Sequence, residues 1–365
     1  MPLPPFAEEI KKTGFVLENQ IAQTVKSAGW TVISNKYYVD DSEESVREID
    51  LIAYKCTKVQ HFDVYTALII SCKKSEANAW ALLAREINLK DPNSDWWPVH
   101  AWSNDKAMNF KLNEPAKAKL YHKRATELGV KEALLDPTVE VFAYQEMDKK
   151  SGRPQNDKPI FSAITSLMKA QSYELTALPA RKKKPSIYQF NLLSVVDTDL
   201  IRLMFEGDNI TSSRIETEHY LASYIIRKRE IFSRIRFITA NAFSNVLEDY
   251  GRLHTANCKW FSEEFNAFYN GLVKDPNRVA VFAEEFKRRI QFSIATCVNC
   301  KYSEVGNFSI HWDAKEKEVA IGVIFDFPDV VQLNDSENVK KATQKALKDI
   351  YRYEGDFSFF EDIPF

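Results

Sequence analysis

No stretch of the 365-residue sequence approaches the roughly 18 to 20 consecutive apolar residues that a membrane-crossing helix needs. A helix that spans a bilayer is therefore excluded, and no membrane partner is expected. The first ten residues, Met1-Pro-Leu-Pro-Pro-Phe-Ala-Glu-Glu-Ile10, have neither the basic start nor the apolar core of a secretory signal, so the expected compartment is a reducing cytoplasm. Cysteine is sparse, at five residues, and in that compartment these read as thiols or metal ligands rather than disulfides. Excess charge is lacking too: 49 Lys and Arg against 51 Asp and Glu leave −2, which excludes a strongly basic coat for nucleic acid but not local patches. Internal repeats and low-complexity tracts are absent, as are a Walker A glycine loop, a Gly-x-Ser-x-Gly elbow, a His-Glu-x-x-His pair and a nameable helix-turn-helix.

What is present fits about two domains of ordinary globular composition, with 27% charged and 13% aromatic residues. Basic and acidic groups number 23 and 24 over residues 1–180, 18 and 14 over 181–299, and 8 and 13 over 300–365. A polyanion would thus meet the neutral front and the basic middle rather than the acidic tail. The clearest boundary signal is Leu178-Pro-Ala-Arg-Lys-Lys-Lys-Pro185, where two prolines bracket a basic run. It predicts one domain over 1–178, a basic linker or loop over 179–186, and a substrate- or partner-binding domain over 187–365.

In the first part, a helix is predicted over about Pro5–Trp30, with Phe15, Leu17, Ile21 and Val25 at roughly helical spacing. Strands follow at Thr31–Val39, Glu48–Lys55 and Tyr65–Lys73, the first two separated by the polar stretch Asp40–Ser45. Glu76–Leu89 reads as a helix, Asp91–Asp105 as an irregular Trp-rich insertion, Val139–Gln145 as a strand and Ile160–Leu175 as a helix. The second part reads as strands at Ile187–Val196, Arg214–Ile226 and Ile231–Thr239, then helices over Asn241–Leu253, Trp260–Val273 and Arg278–Ala295. A hairpin of Phe308–Trp312 with Val319–Phe325 and an amphipathic helix at Ser336–Tyr351 complete it. The fold class is α+β or α/β, with a further α+β region at the C-terminal end.

The sharpest chemical signal lies in the early strands. Glu48-Ile-Asp-Leu-Ile-Ala53 sets Asp50 within a strand whose Ile49 and Leu51 point to the opposite face. A carboxylate there is costly unless it meets solvent, a metal or a partner. The run Leu68-Ile-Ile-Ser-Cys-Lys-Lys74 ends an apolar strand with Ser71 and Lys73 on one face and Cys72 on the other. A carboxylate on one strand and a lysine at the end of the next make the core of a Mg²⁺-dependent phosphodiesterase site. Hard oxygens hold the metal, and the cation stabilises the attacking water and the charge growing on phosphate. A structural ion pair between neighbouring strands is the alternative.

These residues resemble the PD-(D/E)xK nuclease superfamily, which includes restriction endonucleases and Mrr-like enzymes. The resemblance rests on Gly14-Phe-Val-Leu-Glu18, Glu48-Ile-Asp-Leu-Ile-Ala53 and Ile70-Ser-Cys-Lys73, and extends over roughly residues 10–175 in element order. It implies a restriction-endonuclease-like mixed sheet flanked by helices. It also implies Asp50 as a ligand to Mg²⁺ or Mn²⁺, Lys73 as the group assisting attack, Glu18 as the extra acid of Mrr-like members, and the Cys72 backbone carbonyl as a further ligand. Ser71 stands where the family usually has an acid. Some of its restriction enzymes share that serine and take the acid from the following helix, which makes Glu86, 13 residues after Lys73, a candidate beside Glu18. The implied function is metal-dependent DNA endonuclease activity in restriction, phage defence or DNA processing, by the chain alone, as a homo-oligomer or with a protein partner subunit. The alternative is a nuclease-fold protein without catalysis that binds nucleic acid or acts as a scaffold, a reading that Ser71 favours.

Other features carry two readings each. His254-x3-Cys258 with Cys297-x2-Cys300 could form a structural Zn²⁺ site, or be ordinary buried thiols with a satisfied histidine. Cys56 and Cys72 read as core. Trp80, Trp96, Trp97 and Trp102 fall within 23 positions and either cover the sheet edge or wall a substrate site. Arg181-Lys-Lys-Lys184, Arg227-Lys-Arg229 with Arg234 and Arg236, and Lys287-Arg-Arg289 could contact phosphates or simply be surface.

Overall fold

Two helices stand where one is predicted over Pro5–Trp30, and the three strands of high β-propensity that follow pair in sequence order. The computed structural model describes residues 5–40, 45–324 and 330–362. Residues 41–44 of the predicted polar connection, and Phe325 of the predicted hairpin, lie outside these. In chain order the elements are α1 (Phe6–Ile10), α2 (Gly14–Ser27), β1 (Thr31–Asp40), β2 (Ser45–Val59), β3 (Phe62–Lys74), β4 (Asn78–Glu86), β5 (His100–Ser103), α3 (Lys106–Leu112), α4 (Lys117–Glu127), β6 (Val139–Asp148) and α5 (Lys158–Arg181). Then come β7 (Ser186–Asp197), β8 (Leu200–Glu206), β9 (Asn209–Ile215), β10 (Thr217–Ile226), β11 (Arg229–Thr239) and α6 (Phe243–Tyr269). The last part holds α7 (Pro276–Ala280), α8 (Ala283–Cys297), β12 (Asn307–Asp313), β13 (Glu318–Ile324), α9 (Val330–Asp335), α10 (Glu337–Tyr351) and β14 (Phe357–Glu361).

The chain divides into two units, residues 1–105 with 115–261, and residues 106–114 with 262–365. The boundary expected at 179–186 falls inside the first unit. Pro179 is taken into the last turns of α5, and Pro185 leads directly into β7, which is buried at every position except its last. A strand buried on both faces belongs inside a sheet, and β7 pairs with β3 from Asp63↔Ser186 to Lys74↔Asp197.

The main sheet of the first unit runs β1-β2-β3-β7-β11-β10, with β5 also paired to β7. It is mixed: β1, β2 and β3 form an antiparallel meander, β3, β7 and β11 are parallel, and β10 is antiparallel to β11. Helix α5 connects toward β7 and buries Ile160, Ala163, Ile164, Leu167 and Met168 against Ile52, Ala67, Ile69 and Leu192 of the sheet. Residues of opposite parity, Leu51, Ala53, Leu68 and Ile70, are equally buried and face the other side, where α2 brings Leu17, Ile21 and Val25 to β3.

A second sheet of the same unit runs β6-β4-β8-β9. Its β4 corrects the helix predicted over Glu76–Leu89. The segment Ala79-Trp-Ala-Leu-Leu-Ala84 is rich in helix formers, yet it is hydrogen-bonded to β6 on one side and β8 on the other. The second unit holds β12-β13-β14, with the predicted hairpin as β12 and β13, and α8 packed on α10 through Phe286 and Tyr351. Ser336 caps α10 by accepting the Val339 N–H. The helices predicted over Asn241–Leu253 and Trp260–Val273 are one helix, α6. No helix among the described residues is long and apolar enough to cross a membrane.

Candidate active site

The site forms where two strands part. β2 and β3 are paired from Val59↔Phe62 to Leu51↔Ile70 and no further. Beyond that point β2 continues only with β1, as in Ile49↔Lys36 and Glu48↔Tyr37, and β3 only with β7, from Ser71↔Ser194 to Lys74↔Asp197. Asp50 is the first residue of β2 past the fork, and Ser71 the first of β3. The ladder is also interrupted on the other side of Asp50. Ser34 pairs with Leu51 and Lys36 with Ile49, while Asn35 between them has a left-handed φ of 53° and turns its amide to Glu48 Oε1 at 2.6 Å. Asparagine is among the residues that best tolerate that conformation.

Asp50 replaces the missing ladder bond with its side chain. The Cys72 N–H donates to Asp50 Oδ2 at 2.8 Å, the Ser71 hydroxyl to the same oxygen at 3.3 Å, and Lys73 Nζ to it at 3.4 Å. Oδ1 of Asp50 has no hydrogen-bond partner among the described residues. The two charged side chains are 19% and 32% exposed, for Asp50 and Lys73 respectively, so the pair is reachable from solvent. In an extended strand the N–H and C=O of one residue lie on the same edge, so the Cys72 carbonyl faces the fork as well.

Glu18, on α2, does not line the cleft but is near enough to the fork for the charges there to act on it. Partial burial pushes its carboxyl above the ordinary range, the negative charges of Asp50 and Glu48 push the same way, and the Lys73 ammonium opposes them. The Cys72 thiol is likewise pushed up, first by burial and then by Asp50 and Glu18. Three of the predicted site residues, Asp50, Lys73 and Glu18, are therefore in one electrostatic neighbourhood. Among the described residues no group of three or more His, Cys, Asp or Glu side chains is placed to hold a metal ion. Mg²⁺ is commonly held by only one or two carboxylates, completed by water and substrate phosphate, and Asp50 supplies one such carboxylate at the fork.

A cleft of about 450 Å³ opens beside Asp50 and Lys73. Its strand wall includes Arg47 and Glu48, and its helix wall is a stripe along α5 of Lys158, Phe161, Thr165 and Lys169, three or four residues apart. Lys169 pairs with Asp40 at 2.6 Å. None of these wall residues was singled out from the sequence, although the helical spacing of Lys158, Phe161, Thr165 and Lys169 was a readable signal.

The remaining predicted residues lie elsewhere. Glu86 is the exposed last residue of β4, paired with Val139 in the second sheet, and does not line the cleft; the helix expected to carry it back does not exist. His254 has both ring nitrogens engaged, Nε2 with Thr57 Oγ1 at 2.8 Å and Nδ1 with Thr66 Oγ1 at 3.1 Å, and burial lowers its pKa to about 4. Cys258 Sγ lies 3.8 Å from that Nε2. Cys297 and Cys300 belong to the second unit and face the carbonyls of Gln332 and Lys301. The predicted zinc ligands thus have protein partners of their own. The tryptophans pack: Trp80 N–H donates to Glu146, Trp96 N–H to the Asn88 carbonyl and Trp97 N–H to Asp136, Trp102 sits by Tyr188, and none lines the cleft. Of the basic clusters, Arg236 is tied to Asp249, Arg234 to the Leu135 and Trp96 carbonyls, and Lys182 lies over the rings of Tyr65 and Tyr188.

No family model matches the chain, and neither a curated protein nor a solved structure matches it. Any functional reading therefore stands on the fork and its residues.

Proposed function

We propose that the fork is the active site of a metal-dependent endonuclease that hydrolyses phosphodiester bonds in DNA. The observation that carries this reading is the convergence on Asp50: a carboxylate at an interruption of both flanking ladders, with one oxygen held by three donors and the other unpartnered among the described residues. Support also comes from the mixed β1-β2-β3-β7 sheet with α2 and α5 packed on it, which agrees with the resemblance to the PD-(D/E)xK superfamily.

Asp50 through Oδ1, Glu18 and the Cys72 carbonyl are the groups that would hold Mg²⁺ or Mn²⁺. When bound, the metal supplies Lewis-acid activation of water and of the phosphate. Lys73 holds its ammonium beside Asp50, where it orients the attacking water and offsets negative charge on the phosphate. The Cys72 N–H and the Ser71 hydroxyl fix the Asp50 rotamer, so Ser71 orients a ligand in place of being one. A role in restriction, phage defence or DNA processing belongs to the same reading.

The test is cleavage of single-stranded DNA and of plasmid DNA by the purified chain in Mg²⁺, Mn²⁺ or EDTA, beside Asp50→Asn and Lys73→Ala. Metal-dependent cleavage that falls about 10²-fold or more in both variants is the expected result. Cleavage unchanged by either substitution would overturn the assignment. Ser71 favours one second reading, a nucleic-acid-binding scaffold, and binding without cleavage under every metal condition would decide for it.

A further inference from the structure

We infer that the cleft beside the fork receives single-stranded nucleic acid, one base stacking on Phe161 while neighbouring phosphates meet Lys158, Arg47 and Lys169. The inference rests on Asp50 and Lys73 being the reacting end of the cleft. Along α5, the residues that face the sheet core, Ile160, Ala163, Ile164, Leu167 and Met168, alternate with a stripe that faces the cleft. Phe161 interrupts that otherwise polar stripe. Its ring is 45% exposed and stands against Tyr224 at 6.1 Å with the planes 69° apart, a contact that fixes the ring and leaves much of it open. Lys169 in turn lies 5.8 Å from the Tyr224 ring. An aromatic ring framed by cations is the arrangement by which single strands are gripped without regard to sequence.

A base-paired duplex cannot use this wall. Its bases are stacked on one another and present edges, so a face becomes available to Phe161 only at a strand end, in single strands or after a base is flipped out. The cleft, about 450 Å³, has room for one or two nucleotides. Acidic groups are also present, since Asp40 neutralises Lys169 in part and Glu48 lies beside Asp50. Lys158, exposed in the first turn of α5, is accordingly the cation expected to dominate phosphate contact.

The experiment is fluorescence anisotropy of the full chain, in EDTA so that binding is read without turnover, with a short labelled oligothymidine strand and with a duplex of equal length. Wild type should bind the single strand about tenfold or more tightly than the duplex. Phe161→Ala should weaken binding of oligothymidine about tenfold and leave the duplex unchanged, Phe161→Tyr should restore it, and Lys158→Ala should lower the salt dependence of oligothymidine binding. A duplex bound as tightly as the single strand, or a Phe161→Ala variant with unchanged oligothymidine affinity, overturns the inference and leaves plasmid cleavage as a separate result. Selective oligothymidine binding with no cleavage under any metal condition supports the cleft assignment and overturns only the catalytic one. Selectivity confined to duplexes carrying a mismatched base assigns the cleft to flipped bases and overturns the single-strand reading.

Discussion

Asp50 is held by geometry more than by charge. Its closest partner is a neutral backbone N–H at 2.8 Å, and Lys73 stands farther off at 3.4 Å, so the ion pair alone contributes little at this exposure. Ser71 illustrates how a residue that reads as a missing ligand takes another role: buried, it spends its hydroxyl on the carboxylate that remains. Four buried histidines, His100, His122, His219 and His254, show the opposite tendency, burial disfavouring their charged form. His122 on α4 is buried against the Leu134 carbonyl, and burial together with Arg234 lowers its pKa to about 4. Between pH 6.5 and about 4 the unfolded chain therefore binds a proton that the folded chain refuses, so stability is full above pH 6.5 and declines as pH falls through that window. The loss should reach on the order of 3 kcal/mol. Urea midpoints at pH 7 and pH 5 check this, and His122→Gln should reduce the difference, the rest coming from His254 and other buried histidines.

Strands with strong alternation or continuous apolar runs were legible in the sequence. β1, β2, β3, β7 and β11 all fell where β-branched and aromatic residues cluster. β4 was not legible, because Ala, Leu, Arg and Glu prefer helices and only pairing on both edges makes the segment a strand. β9, almost wholly exposed and rich in Ser and Thr, left no periodic trace. The site divides in the same way. Asp50, Lys73 and Glu18 sit in compact local motifs and were found, whereas Arg47, Lys158 and Phe161 meet only after α5 folds across the sheet. A direct check on β4 is Trp80→Phe. Trp80 is opposite Glu146 in the β4–β6 register and donates its indole N–H to that buried carboxylate at 2.9 Å, an arrangement a helix would not give. Losing the bond should cost about 1–3 kcal/mol by denaturant unfolding, and a change near zero would contradict the pairing.

At the scale of the whole chain, the proline-bracketed basic run marked a helix end and not a domain edge. Local composition reports where the backbone turns; it does not report which strands will share a sheet, and β7 returns to the centre of a sheet begun more than a hundred residues earlier. A fragment of residues 1–178 should therefore lack cooperative unfolding by circular dichroism, because β3 would lose its neighbour over its whole length. A cooperative melt of that fragment would restore the earlier boundary. The charge distribution is sharpened as well. Two arginines of the basic middle, Arg234 and Arg236, do not contribute to a basic surface, since they are spent on internal carbonyls and on Asp249.

The fork has one further consequence, for how the site can be watched. Because the Cys72 amide hydrogen is shared with a carboxylate and not with a neighbouring strand, its chemical shift and its exchange with solvent follow the position of Asp50 alone. Anything that draws that carboxylate away, whatever its identity, frees the amide. A single backbone resonance is thus a built-in gauge of where the Asp50 carboxylate stands, independent of whether any bond is ever cut.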